Sequence, residues 1–341
     1  MDNITFLRAR SLRNYGGGDK WVISIGNLLK NEGYKVKVYA LSYSSEYRVS
    51  EDYLRKIIKF EYIEIPFIKN KLTSLKMRRI PEIDNTIIYS DAGYYTFLKQ
   101  ILKLKEPKIW GFHNPFLMKS NNYFQKKILN SIIPRFDKIH ILSEIQKNLI
   151  KNNNAFLLEN TYLGEMIPKK EKFDKFTVLF FGRHEEDKGI NTVKYVAENL
   201  SNNIDLLIAG SGSQSYKLNI KKENVKFLGF LSDDKLSDLL LRSHLVLFPS
   251  YSESSSSLVS VESLAHYTPL IYRDIEVNKM LKKIPFNLSA NKDEEFLKGI
   301  YIKYNEYIKD KNKYLDECYN LPKYLMSKEK YVQLFIKYFL S

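Results

Sequence analysis

Cysteine is almost absent: Cys318 stands alone in 341 residues. A single thiol forms neither an intramolecular disulfide nor a thiolate metal cluster, and no activating base flanks it, so it reads as structural. Long apolar runs are missing as well. No stretch reaches the roughly 18 uninterrupted apolar residues that a membrane span requires. The short run Ile4 to Leu7 lies among Asp2, Arg8, Arg10 and Arg13, without the length or the small-residue cleavage site of a signal peptide. The expectation is a cytoplasmic protein, free or peripheral at the inner membrane face. The dinucleotide fingerprint GxGxxG is absent, which weakens a dinucleotide reading. No convincing Asp-x-Asp pair is present, so no metal and no resident cofactor is expected.

Acidic residues are outnumbered by basic ones, 39 to 54, for a formal charge of +15. Nucleic acid, an anionic membrane surface and a lysine-rich composition without a dedicated ligand all account for that excess. Lysine, isoleucine, asparagine and tyrosine are abundant together, which favours the compositional account. Nucleic acid is not expected, since neither a zinc knuckle nor a ribonucleoprotein-type aromatic motif is present. Locally, Lys69, Lys71, Lys76, Arg78 and Arg79 flank the apolar residues of Ile65 to Ile68 and Leu72 to Met77. A basic segment with apolar residues interleaved can lie on anionic lipid.

The length exceeds one ordinary core and suits two domains of about 150 to 200 residues. Ile4 to Leu7 reads as a strand, Gly16-Gly17-Gly18 as a turn, and Trp21, Val22, Ile25, Leu28 and Leu29 as one face of a helix that Gly33 ends. Val36, Val38 and Ala40 alternate as the next strand. Apolar runs follow at Tyr62 to Ile65, Thr86 to Tyr89, Lys108 to Phe112 and Lys138 to Leu142. The second half repeats the plan, with strands at Thr177 to Phe181, Asp205 to Ala209, Val225 to Phe230, Leu245 to Phe248 and Pro269 to Tyr272. Helices fall at Ile190 to Leu200, Leu236 to Arg242, with Ser232 as its cap, and Leu258 to His266. Pro168 to Lys175 reads as the linker. Strands alternating with helices predict parallel sheets covered on both faces. The last helix, Lys328 to Leu340, carries Tyr331, Leu334, Phe335 and Phe339 at helical spacing.

In such sheets ligands bind at the carboxyl ends of strands, where helix N-termini offer free N–H groups. Gly182-Arg183 follows the strand Thr177 to Phe181, and Lys188-Gly189 opens the next helix. Two cations beside a helix N-terminus can hold a diphosphate and neutralise it as it leaves, or they are solvated surface charges. Ala209-Gly210-Ser211-Gly212 reads as a loop of close approach. The densest segment is Pro249 to Ser257, in which Glu253 precedes four serines, followed by a helix carrying Glu262. Hydroxyls and backbone N–H groups there suit phosphate oxygens. His113, after the strand Lys108 to Phe112, is a structural histidine or a site residue.

Together these elements resemble glycosyltransferase family 4, most strongly from Thr177 to Tyr272. Gly16-Gly17-Gly18-Asp19 looks like the family's Gly-Gly-x-Glu opening, with Asp19 replacing the acid. Phe112-His113 and Leu142-Ser143-Glu144 resemble the catalytic-histidine strand and the strand after it. Phe181-Gly182-Arg183 with Lys188-Gly189 looks like the donor-phosphate pair. Pro249 through Glu262 looks like the signature in which seven residues separate two glutamates; here eight separate Glu253 from Glu262. Either the serine run holds a bulge or Ser254 fills the first glutamate's place.

The resemblance implies an α/β chain of two Rossmann-like domains (GT-B) facing a central cleft. Residues 1–168 would form the acceptor side, 169–325 the nucleotide-sugar side, and 326–341 a helix packing back on the first domain. It implies a retaining, metal-independent transfer of a sugar from a UDP- or GDP-linked donor to a glycan or lipid-linked acceptor. His113, Glu253, Arg183 and Lys188 would be catalytic. Gly17, Gly18, Gly182, Gly210, Gly212, Ser254, Ser255, Ser256, Ser257, Leu258 and Glu262 would bind the donor. Three rivals stand beside it: a GT-B protein that binds a nucleotide or glycan without turnover, a nucleic-acid binder, and an epimerase of the same fold.

Overall fold

Val178 and Phe180 point to one side of their strand and Leu179 and Phe181 to the other, and all four are buried. A strand apolar on both faces belongs inside a parallel sheet with helices on each side. The computed structural model describes residues 3–8, 10–42, 49–66, 83, 85–91, 101–113, 131, 133–150, 153–253 and 257–341. The chain divides into one unit of Met1–Glu159 with Ser327–Ser341, and a second of Asn160–Met326.

In the first unit the described strands are β1 (Asn3–Arg8), β2 (Lys35–Ser42), β3 (Glu61–Pro66), β4 (Ile87–Ser90), β5 (Lys108–Gly111), β6 (Lys138–Ile141) and β7 (Ala155–Leu157). They lie in the order β3-β2-β1-β4-β5-β6-β7, and every pairing is parallel. The second unit holds β8 (Thr177–Arg183), β9 (Asp205–Ser211), β10 (Val225–Gly229), β11 (Leu245–Phe248), β12 (Leu270–Arg273) and β13 (Leu288–Ala290). Their order is β10-β9-β8-β11-β12-β13, again parallel throughout. Each sheet is doubly wound, with the direction of growth reversing between β1 and β4 and between β8 and β11. Such reversals open a crevice at the carboxyl ends of the two central strands.

Period-two alternation decides both cores of the second unit. Val178, Phe180, Leu206, Ile208, Leu245 and Leu247 pack in one layer. Leu179, Phe181, Leu207, Ala209, Val246 and Phe248 pack in the other. The short strands β7 and β13 escape the sequence reading because three residues are too few for an alternation to show.

Helix α1 (Gly17–Asn31) buries Trp21, Val22, Ile25 and Leu29. In the first unit it is accompanied by α2 (Glu51–Ile57) and α3 (Glu144–Ile150). The second unit adds α4 (Ile190–Asn199), α5 (Asp233–Arg242), α6 (Leu258–Ala265), α7 (Lys279–Lys282), α8 (Asp293–Lys309) and α9 (Lys311–Tyr319). Ser232 stands at the N-cap of α5 but its side chain makes no cap bond; the first turn carries Asp233 and Asp234 instead, whose charge suits the positive helix end.

The last helix returns to the first unit. It is α-helical only as α10 (Lys328–Phe335), capped by Ser327, whose hydroxyl accepts from the Lys330 N–H. Ile336–Leu340 winds on as a π turn, which buries Phe339 and Leu340. Among the described residues no helix is long and apolar enough to cross a membrane. The basic residues Lys69, Lys71, Lys76, Arg78 and Arg79 lie outside the described residues.

Candidate functional site

In the second unit the expected donor residues gather at the carboxyl ends of β8, β9 and β11. Gly182 pairs with Gly210, and Arg183 with Ser211, at the end of the β8–β9 ladder. Gly210 has φ +117°, and a Cβ there would lie 1.9 Å from the Gly182 carbonyl oxygen. Only glycine permits that approach. A Cβ on Gly182 would meet nothing within 4 Å, so its backbone borders open space. Gly212 follows β9 against the backbone of His184.

Beyond Arg183 the chain makes a short 3-10 turn, Glu186–Lys188, and reverses at Gly189. Gly189 has φ +75°, and a Cβ there would stand 2.3 Å from the Pro249 carbonyl oxygen. The loop after β11 therefore lies directly on this turn. The Tyr251 N–H donates to the Asp187 carbonyl at 2.9 Å. The Lys188 ammonium meets the Glu253 carboxylate at 2.5 Å, both largely shielded from solvent. Arg183 pairs with Asp187 at 3.1 Å with both side chains half-exposed, an arrangement that contributes little to stability and leaves Arg183 easily redirected.

Arg273, the last residue of β12, holds this loop from beneath, and the sequence reading passed over it. Its Nε donates to the Pro249 carbonyl at 3.0 Å and its Nη2 to Thr192 Oγ1 at 2.9 Å, while Nη1 donates to the Asn291 carbonyl. The guanidinium lies 3.8 Å from the centre of the Tyr251 ring. One buried cation thus joins the β11 loop to α4 and to the start of α8. A charged residue ending an apolar strand was the only sequence signal.

Ser257 caps α6 by accepting from the Val259 N–H at 3.2 Å. Leu258 opens that helix and Glu262 sits in its second turn, both partly buried. Ser254, Ser255 and Ser256 lie outside the described residues. Next to Arg183, the buried His184 joins Ser215 Oγ at 2.8 Å through Nδ1, and burial lowers its pKa.

In the first unit, Gly17 and Gly18 form the first turn of α1, with Gly18 3.5 Å from the Arg8 guanidinium when a Cβ is placed on it. Asp19 accepts from the Gly16 N–H at 2.9 Å and from Arg8 at 2.6 Å. Arg8 also pairs with Asp91, just past β4. Burial raises both carboxyls against the pull of Arg8. The acid of the glycine opening is therefore occupied in holding β1, β4 and α1 together.

His113 follows β5 and is partly exposed. Its Nε2 lies 2.9 Å from the Tyr89 hydroxyl, which lies 2.6 Å from His140 Nδ1. His140 Nε2 is 2.9 Å from the Leu158 carbonyl. Trp21 stands edge-on to His113, with ring centres 4.7 Å apart, and its indole N–H donates to the Tyr331 hydroxyl at 2.9 Å. Phe335 and Phe339 close the group from α10 and its π turn. Burial pushes the imidazole of His113 well below its ordinary value and that of His140 down to about 4. Tyr89 and His140 went unread because each lies within a short buried strand and no motif singles it out.

Three solved structures share this fold over nearly their whole length. TarM has a TM-score of 0.78 at 13% identity, with 100% of this chain and 99% of that chain covered. HepE of Anabaena, solved in complex with UDP and glucose, has 0.71 at 16%, with 99% of each chain covered. Sucrose-phosphate synthase from Thermosynechococcus elongatus has 0.70 at 14%, again over 99% of each chain. No curated protein matches the sequence. Residues 165–283, which include β8 to β12, match the family model described as glycosyl transferases group 1. The second unit thus matches the glycosyl transferases group 1 model over residues 165–283, in a chain of two parallel α/β units with the GT-B fold.

Proposed function

We propose that the protein is a retaining glycosyltransferase that takes its sugar from a nucleoside diphosphate donor without a metal ion. The observation that carries this reading is the seating of the β11 loop on the Glu186–Gly189 turn. It brings Lys188 and Glu253 to 2.5 Å at the turn that follows Gly182 and Arg183 in the chain. Cations and free N–H groups at strand ends are suited to a pyrophosphate. Family resemblance assigns Arg183 and Lys188 to the diphosphate, Glu253 to the sugar and Glu262 to the ribose. Breaking the bond from the anomeric carbon to the phosphate oxygen sends its electron pair to the diphosphate, which the two cations stabilise. The acceptor hydroxyl attacks from the face being vacated, and its proton passes to the departing phosphate oxygen.

HepE was solved with UDP and glucose, which makes a uridine donor the first to test. A thermal-shift screen of UDP, GDP and ADP tests the reading. One of them raises Tm strongly, whereas a flat response to all three removes the donor assignment. Donor hydrolysis by the purified protein separates an enzyme from a GT-B protein that binds without turnover. A lipid-linked saccharide is the proposed acceptor, on the strength of the basic and apolar segment from Lys69 to Arg79.

A further inference from the structure

Carbonyl oxygens only accept hydrogen bonds, so the contact of His140 Nε2 with the Leu158 carbonyl at 2.9 Å places a proton on that nitrogen. A buried imidazole without a counter-charge is neutral, which leaves Nδ1 of His140 bare. Tyr89, 2.6 Å away, must then donate its one hydroxyl proton to His140 Nδ1. With that proton committed, the Tyr89 oxygen can only accept from His113 Nε2, at 2.9 Å. One backbone carbonyl thereby sets the direction of three successive hydrogen bonds. The groups facing His113 are Tyr89 on β4, His140 on β6, Trp21 on α1 and, through its charge, Arg8 on β1. Among the described residues none of these is an anion that would favour an imidazolium.

We propose that Tyr89 and His140 are positioning residues that lock His113 as the neutral Nε2–H tautomer, so that its Nδ1 can accept a hydrogen bond but not donate one. This rests on the reading of His113 as a site residue of a sugar transferase, and it adds the chemical character of the group that His113 accepts. Tyr89 and His140 need not touch substrate. They act by denying His113 the other tautomer and by keeping it from carrying a charge.

The geometry also ranks the two partners. His113 Nε2 lies 3.3 Å from His140 Nδ1. In Tyr89→Phe the His113 N–H can turn directly to His140, and the tautomer survives. In His140→Phe the Tyr89 proton is released, and His113 is free to exchange between Nε2–H and Nδ1–H. A merely space-filling role predicts the opposite order or no difference.

Long-range proton–nitrogen correlation spectra of histidine-labelled protein at pH 7.5 read the tautomer directly, with signals assigned by single His→Gln variants. The expected spectrum shows His113 and His140 both protonated at Nε2 alone, His113 unchanged in Tyr89→Phe, and a mixed pattern for His113 in His140→Phe. An Nδ1–H or doubly protonated His113 in the parent protein overturns the proposal, whatever the variants do. So does a His113 that keeps its tautomer in folded His140→Phe. A protein that neither binds nor hydrolyses any nucleotide sugar yet shows the expected tautomers defeats the transferase reading and leaves the lock intact.

Discussion

Gly189 and Lys188 show how much of the donor side hangs on single residues. With φ +75° and the Pro249 oxygen 2.3 Å from a hypothetical Cβ, Gly189→Ala must separate the turn from the β11 loop. We expect a stability loss on the order of 2 kcal/mol from the left-handed backbone alone. UDP should lose at least tenfold in affinity, as measured by titration calorimetry; near-parental affinity would show that the loop contact does not shape the site. Lys188→Met should weaken UDP similarly, while its ion-pair partner Glu253 is left shielded and uncompensated, so Tm falls too. Buried histidines set a second expectation. The pKa of His140 is pushed down to about 4 and that of His244 to about 3, both by burial. Their folded pKa values lie below the unfolded one, so above about pH 6.5 both states are neutral and nothing is lost. As pH falls from there toward 4, the unfolded chain takes up protons that the folded chain refuses, and stability drops. The loss from His140 is on the order of 3 kcal/mol. Urea unfolding between pH 7 and 4 should show this slope, and His140→Phe should flatten it.

At the scale of elements, the C-terminal helix and its π turn bury Tyr331, Val332, Phe335, Phe339 and Leu340 in the first unit. Its Tyr331 receives the Trp21 indole N–H, and Phe335 and Phe339 wall the Tyr89, His113 and His140 chain. Tyr331→Phe strands a buried indole donor, for an expected cost of about 1–3 kcal/mol. Phe335→Ala opens a cavity in a fully buried wall, for about 3–5 kcal/mol. Both tryptophans, Trp21 and Trp110, belong to the first unit. Tryptophan fluorescence during urea unfolding therefore reports the unit in which the helix sits. Unchanged fluorescence midpoints in both variants would refute the assigned role. The amphipathic spacing of Tyr331, Phe335 and Phe339 was plain in the sequence. The change from α to π winding after Phe335 was not legible there; in the structure Phe339 of that turn lies against His140.

For the whole molecule, the formal charge of +15 is the largest property left without a structural partner. If the segment from Lys69 to Arg79 meets lipid, vesicles containing anionic phospholipid should carry the protein upward in flotation, and reversing those five charges should abolish it. Equal flotation with neutral vesicles, or none with either, sinks the membrane proposal without touching the donor site. Alternating hydrophobicity and glycine placement were enough to read parallel sheets covered on both faces by helices, while the two Rossmann-like units came from the family resemblance. Strand ends carrying Gly182-Arg183, Lys188-Gly189 and Glu253 were equally legible, as their spacing is local. Tertiary structure alone decided which charge meets which. It gave Lys188 to Glu253, spent Asp19 on Arg8, set Arg273 under the β11 loop, and joined Tyr89 and His140 behind His113. Those partners lie on separate elements or loops of the chain. A single sequence records the period of each strand but not the register that brings separate strand ends side by side.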